Sequence, residues 1–123
     1  MGACGRSAVP GTPFYNASQN YGGIVYAAGQ VGFKPGTKEF AAGGIAAQTQ
    51  QALENLSAAL VKSGSSLKNV LKVTVLLDDI GDYGAMNEVY LKFFDDAGVR
   101  PARCPILVSC GPGAACRRRG AVT

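Results

Sequence analysis

The chain contains no histidine. That absence removes the commonest general base and both the Ser-His and Cys-His nucleophile pairs. It also removes mixed Cys/His zinc sites, and the spacings of Cys4, Cys104, Cys110 and Cys116 match no all-cysteine zinc pattern. No apolar run approaches the ~20 residues of a membrane span. Met1-Gly2-Ala3-Cys4-Gly5-Arg6 lacks the apolar stretch of a secretory signal, and Arg6 stands where a myristoylation signal needs Ser or Thr. These absences predict a soluble, intracellular, cytoplasmic protein without membrane contact. Its cysteines are then expected as free thiols, not as a disulfide framework. Aromatic residues are only 8% of the chain and are not interleaved with basic ones, which argues against a stacking platform for single-stranded nucleic acid.

The charge is equally uneventful outside one stretch. Twelve Lys and Arg face eight Asp and Glu, a net charge of +4. Arg117-Arg118-Arg119 supplies three of those positive charges, so the remainder is 9 − 8 = +1. The basic character is local to the tail, and nucleic acid is not an expected partner.

What is present fits one domain over 1–123 with one core: 123 residues, 47% hydrophobic. Residues 1–13, rich in Gly, Ala and Pro, read as a loose N-terminal segment. Ile24 to Ala28 reads as a strand after Gly22-Gly23, continued past a bend at Gly29 by Gln30 to Phe33. Gly29 and Gly32 mark a bulge or a close backbone approach. Lys34-Pro35-Gly36-Thr37 has the order of a type II turn, before a short strand at Glu39 to Ala41. From Ile45 to about Ser63, Ile45, Thr49, Ala52, Leu53, Leu56, Ala59 and Leu60 build a helical apolar stripe, closed by Gly64. Val70 to Leu77 is a nearly continuous apolar strand, expected to be covered on both faces. Asp82 suits an N-cap. Tyr83, Met86, Val89, Tyr90, Phe93 and Phe94 form a second helical stripe, read as core and closed by Gly98. Ala102 to Ser109 is the next strand, Gly111-Pro112-Gly113 a turn, and Ala114 to Val122 a candidate last strand. The expected architecture is α+β, a mixed sheet with two helices packed on one face. Its other face carries apolar residues that one copy cannot bury, so self-association is expected.

Arg103 follows Pro101 at the start of a strand. A guanidinium there presents a rigid fork of donors suited to gripping a carboxylate. Taken alone it reads as a solvated arginine capping a sheet edge. The rest of the chain changes that reading.

Between Val9 and Arg103 the chain resembles the YjgF/RidA family of reactive intermediate deaminases, also labelled endoribonuclease L-PSP. The resemblance rests on Tyr15 with Gln19, Val25-Tyr26-Ala27-Ala28-Gly29-Gln30, Gly43-Gly44-Ile45 and Gln48 to Leu56. It continues through Val73 to Leu77, Met86-Asn87-Glu88-Val89-Tyr90, Phe93-Phe94 and Arg100-Pro101-Ala102-Arg103. No single piece is specific; the ordered set is. The resemblance implies a chorismate-mutase-like fold, a homotrimer with a barrel core, and clefts between subunits. It implies hydrolysis of enamine and imine intermediates to 2-keto acids and ammonia, with no metal and no organic cofactor. Arg103 matches the arginine that binds the substrate carboxylate, Tyr15 a pocket tyrosine, Asn87 a pocket asparagine, and Gly29 the bend beside the pocket. Tyr15 and Arg103 are thus the expected catalytic residues, with Asn87 and Gly29 completing substrate binding.

The C-terminal end, 104–123, departs from that pattern. Aligned without gaps, Arg118 falls on the glutamate to which the family assigns the attacking water, and Gly120 falls on a second glutamate. Cys116 to Gly120 lacks the alternation of a buried strand. Ala28 stands where a serine is frequent, and Pro105 where Cys or Thr is common. Pro105 lacks a ladder donor and suits an edge strand. Either the ending is genuine and the carboxylate is lost, or it is an out-of-frame reading of an ordinary ending. Three functions follow. The first is an imine deaminase, the second a non-catalytic trimer that binds keto acids, the third a ribonuclease acting on single-stranded RNA. For the third, the chain offers neither a histidine nor a carboxylate cluster.

Overall fold

The computed structural model describes residues 7–11, 13–37, 39–77, 80–107 and 121–122. Seven strands and two α-helices are found among them: β1 (Ser7–Val9), β2 (Ser18–Tyr21), β3 (Ile24–Ala27), β4 (Gln30–Val31), α1 (Gly44–Lys62), β5 (Lys72–Leu77), α2 (Tyr83–Ala97), β6 (Ala102–Leu107) and β7 (Ala121–Val122). Single 3₁₀ turns precede β5 (Leu67–Asn69) and α2 (Ile80–Asp82).

The sheet is not one mixed sheet. Strands β1, β2 and β3 make an antiparallel sheet of three, and β4, β7, β5 and β6 a mixed sheet of four. Only β5 and β6 run parallel. The segment expected to be loose contributes Ser7–Val9 to pairing with β2, and the Val9 carbonyl accepts the Ala17 amide at 2.8 Å. Strand β2, Ser-Gln-Asn-Tyr, has no apolar alternation. It pairs because Gly22 and Gly23 both take positive φ, 62° and 79°, as a two-residue I′ hairpin turn requires, and so fold it onto β3.

Gly32 marks the close approach expected of it. A Cβ built there would stand 2.6 Å from the Gln48 backbone oxygen on α1. The strand therefore stops at Val31, and the expected second strand shrinks to a single bridge between Phe33 and Phe40, whose rings pack tilted at 48° with centres 4.7 Å apart. The side chain of Asn55 on α1 seals this corner, donating to the carbonyls of Val31 and Phe33 at 3.0 and 2.9 Å.

Helix α1 buries the expected stripe, Thr49, Ala52, Leu53, Leu56, Ala59 and Leu60. It ends in a Schellman motif: the Ser65 amide reaches the Leu60 carbonyl and the Gly64 amide that of Val61, with Gly64 at φ 82°. Helix α2 ends the same way at Gly98, through the Val99 and Gly98 amides to Phe94 and Asp95. Asp82 stands at the N-cap of α2 but makes no side-chain capping bond. Its backbone is already helical, as the last residue of the 3₁₀ turn, which denies the side chain the extended geometry capping needs.

Leu53, Leu56, Val73, Val75, Met86 and Phe94 form the heart of the core, each at most 3% exposed. Both helices lie over the Val73, Val75 and Leu77 side of β5. On the other side, Thr74 and Leu76 are half-buried and Lys72 is exposed. Large apolar side chains stand exposed on the surface, among them Tyr26 at 60% and Leu71 at 73%. Strand β6 is an edge strand among the described elements, which accommodates Pro105. Cys104 is free and exposed. The expected turn at Gly111 to Gly113, the stretch holding Arg118, and Cys4, Cys110 and Cys116 lie outside the described residues.

Candidate functional site

The site begins with a register. The Ala102 amide donates to the Leu71 carbonyl at 3.0 Å, and the ladder then pairs Arg103 with Val73. Paired residues of a parallel ladder project to the same side of the sheet. Val73 faces the helices, so Arg103 does as well. A cation directed toward a core must find polar partners or lose heavily to desolvation.

Helix α2 supplies them. Tyr83, Asn87 and Tyr90 are spaced i, i+4 and i+7, which puts all three on one helix face. Arg103 Nη1 donates to Asn87 Oδ1 at 2.6 Å, and Nη2 donates to the Tyr83 hydroxyl at 3.0 Å. The guanidinium carbon lies 4.6 Å from the centre of the Tyr90 ring and 5.7 Å from that of Tyr83. Both distances are within reach of cation–π attraction. Arg103, Asn87 and Tyr83 are half-buried, while Tyr90 is only 4% exposed. Burial raises the Tyr90 phenol above its ordinary pKa of 10.0, and the neighbouring Arg103 charge partly offsets that. The Tyr90 hydroxyl is buried with no hydrogen-bond partner.

Among the described residues, Arg103 has no acidic counterpart. Among the described residues, the one ion pair joins Arg100 to Asp95 at 3.1 Å, on the surface. The partners found for Arg103 among the described residues are neutral acceptors and two rings. No cluster of three or more His, Cys, Asp or Glu residues suited to a metal ion is found among the described residues.

Arg103 and Asn87 are therefore in direct contact. Tyr15 lies on the loop between β1 and β2, 57% exposed, and Gly29 in the exposed link between β3 and β4. Both belong to connections around the three-stranded sheet rather than to the α2–β6 cluster. Tyr83 and Tyr90 were expected only as core. Their signal in the sequence was two hydroxyl-bearing aromatics sharing the Asn87 face of a helix.

A second concavity, of about 660 Å³, lies between β3, the end of α1 and the start of β5. It is on the opposite edge of β5 from β6 and includes neither Arg103 nor Asn87. Its lining offers no concentrated charge, so the Arg103 cluster is the better candidate for chemistry.

Comparison with known proteins agrees with the geometry. The sequence profile described as Endoribonuclease L-PSP matches residues 6–113. The rat protein named 2-iminobutanoate/2-iminopropanoate deaminase is 41% identical over 88 residues, 72% of this chain and 63% of the rat protein. A crystal structure from Entamoeba histolytica, described as a candidate endoribonuclease L-PSP, superposes with a TM-score of 0.82 at 30% identity, over 96% of this chain and 95% of that one. The E. coli TdcF structure with bound serine superposes with a TM-score of 0.76 at 29% identity, over 94% and 91% of the two chains. With the profile spanning most of its length, the chain belongs to the endoribonuclease L-PSP family, also called YjgF/RidA.

Proposed function

We propose that the protein hydrolyses 2-imino acids and their enamine tautomers to 2-keto acids and ammonia. The observation that carries this reading is Arg103, a half-buried cation fixed by Asn87, Tyr83 and Tyr90 with no acidic partner among the described residues. Such a group suits a carboxylate ligand, and relatives about 40% identical are named 2-iminobutanoate/2-iminopropanoate deaminases. In the reaction, a water oxygen adds to the imine carbon, the carbon–nitrogen bond breaks, and nitrogen leaves as ammonia. Arg103 holds the carboxylate and withdraws electron density from the neighbouring carbon. Asn87 keeps the guanidinium in plane. The Tyr15 hydroxyl orients the imine nitrogen or the water. Positioning and electrostatics suffice for so modest a barrier, with no metal or organic cofactor.

The cleft is proposed to form between copies in a homotrimer, with Tyr15 and the Gly29 bend completing it. Exposed Phe14, Tyr15, Tyr26 and Leu71 supply apolar surface for such an assembly. The proposed place of action is the cytoplasm. One relative, in Schizosaccharomyces pombe, is named mitochondrial.

A second reading is a trimer that binds 2-keto acids without turnover. It is favoured by Arg118, which takes the position where the family resemblance puts a glutamate on the attacking water. The deciding experiment is ammonia release from an imino acid generated in place by a threonine dehydratase. Deaminase function predicts turnover in the wild type and a loss of about a hundredfold or more in Arg103→Ala, equivalent to ~3 kcal/mol of lost charge pairing. A wild type that binds 2-oxobutanoate yet releases no ammonia above background would establish the binding reading instead.

A further inference from the structure

The three polar side chains of the Arg103 cluster are all committed in the same sense. Asn87 uses its acceptor, Oδ1, toward Arg103, and Tyr83 uses its hydroxyl oxygen as an acceptor from Nη2. A guanidinium carries N–H donors and no acceptor. The Tyr83 hydrogen therefore cannot point back to Arg103 and is directed elsewhere. Asn87 is left with its Nδ2 donors, and Arg103 with the N–H groups it has not spent on these two contacts. What the cluster offers a ligand is chiefly donors, from one charged and two neutral side chains. The complementary group is one rich in acceptors and carrying negative charge, which a carboxylate satisfies.

We propose that Tyr83 is a ligand-binding residue, donating its hydroxyl hydrogen to the carboxylate that Arg103 grips. This rests on the deaminase or keto-acid-binding reading of the same site. Two features favour Tyr83 over its neighbour Tyr90. Tyr83 is half-buried whereas Tyr90 is sealed in the core. The Tyr83 hydroxyl is oriented by the Arg103 bond, while the Tyr90 hydroxyl has no partner among the described residues. Tyr83 thus gives the carboxylate a second, neutral donor beside the charged one. The pair is selective for planar, two-oxygen acceptors in a way that a lone arginine is not.

The test is calorimetric binding of 2-oxobutanoate to purified wild type, Tyr83→Phe and Arg103→Ala, with thermal melting of each. Tyr83→Phe keeps the ring near the guanidinium and removes only the hydroxyl. It is expected to raise Kd by about ten- to a hundredfold, as loss of one hydrogen bond to a charged group should. In a catalytically active wild type the same factor should appear in KM with kcat little changed. If wild type binds, Arg103→Ala does not, and Tyr83→Phe matches wild type within twofold, the role of Tyr83 is overturned while the carboxylate site stands. If wild type itself fails to bind 2-oxobutanoate, both the site and the role of Tyr83 are overturned.

Discussion

Replacing Tyr90 with phenylalanine removes one hydroxyl from the core and leaves the ring in place. The ring contacts should survive: Arg103 lies 4.6 Å from the ring centre, and the Phe94 ring is also 4.6 Å away. The hydroxyl itself is buried without a hydrogen-bond partner. An unpaired buried hydroxyl costs ~1–3 kcal/mol, part of which is recovered by the packing of its oxygen. Tyr90→Phe is therefore expected to be more stable than wild type by about 1 kcal/mol, a rise of about 3–5 °C in melting temperature for a domain of this size. Urea unfolding at neutral pH measures it, as a higher midpoint at unchanged slope. The pH dependence gives an independent reading. Burial raises the folded-state pKa of Tyr90 above the unfolded value of 10.0. Between those two values the unfolded chain has lost a proton that the folded chain keeps, so stability falls as pH rises. This contribution is fully present below pH 10 and is lost through the folded pKa. The difference between wild type and Tyr90→Phe should widen above pH 10. A variant less stable than wild type, or a difference that stays flat from pH 8 to 11, would refute the placement of the hydroxyl.

Two further perturbations probe the corner where the chain passes from strand to helix. Gly32→Ala forces a Cβ against the Gln48 backbone, which cannot swing aside as a side chain could. It should destabilise by ~1–3 kcal/mol, read from the urea midpoint. Asn55→Leu takes the side-chain donor from the Phe33 carbonyl and one of two donors from the Val31 carbonyl, which keeps the Phe33 amide, and should cost ~1–3 kcal/mol. Hydrogen exchange should then quicken first at the amides around Phe33 and Ala41, which pair within the same corner.

Much of the fold was legible because its signals are local. The apolar stripes of α1 and α2 repeat at helical spacing, and their ends are written as Gly64 and Gly98, residues that reach left-handed φ without strain. Lys34 to Thr37 reads as a turn for the same reason, with Gly36 at φ 74°. Strand β2 escaped notice because pairing on both sides, not burial of an apolar face, makes it a strand. Its one local clue was the Gly22-Gly23 turn beyond it. The division into two sheets also had no local signature, since it is set by which distant strands share hydrogen bonds.

The candidate site divides along the same line. Arg103 and Asn87 were named from the order of motifs along the chain, and the sequence by itself determined that a guanidinium follows Pro101 at the head of a strand and that Tyr83, Asn87 and Tyr90 share a helix face. Tyr15 and Gly29 rest on the same resemblance and await the binding measurements. Only the tertiary structure decided that this face meets this arginine. Pairing with Val73 turns the guanidinium toward the helices. Contacts with Asn87, Tyr83 and Tyr90 then hold it there, with no carboxylate among the described residues to neutralise it. Periodicity fixes which side chains stand together on one element. Whether two such faces meet depends on strand register and helix packing, which join residues 16 and 20 positions apart in this cluster.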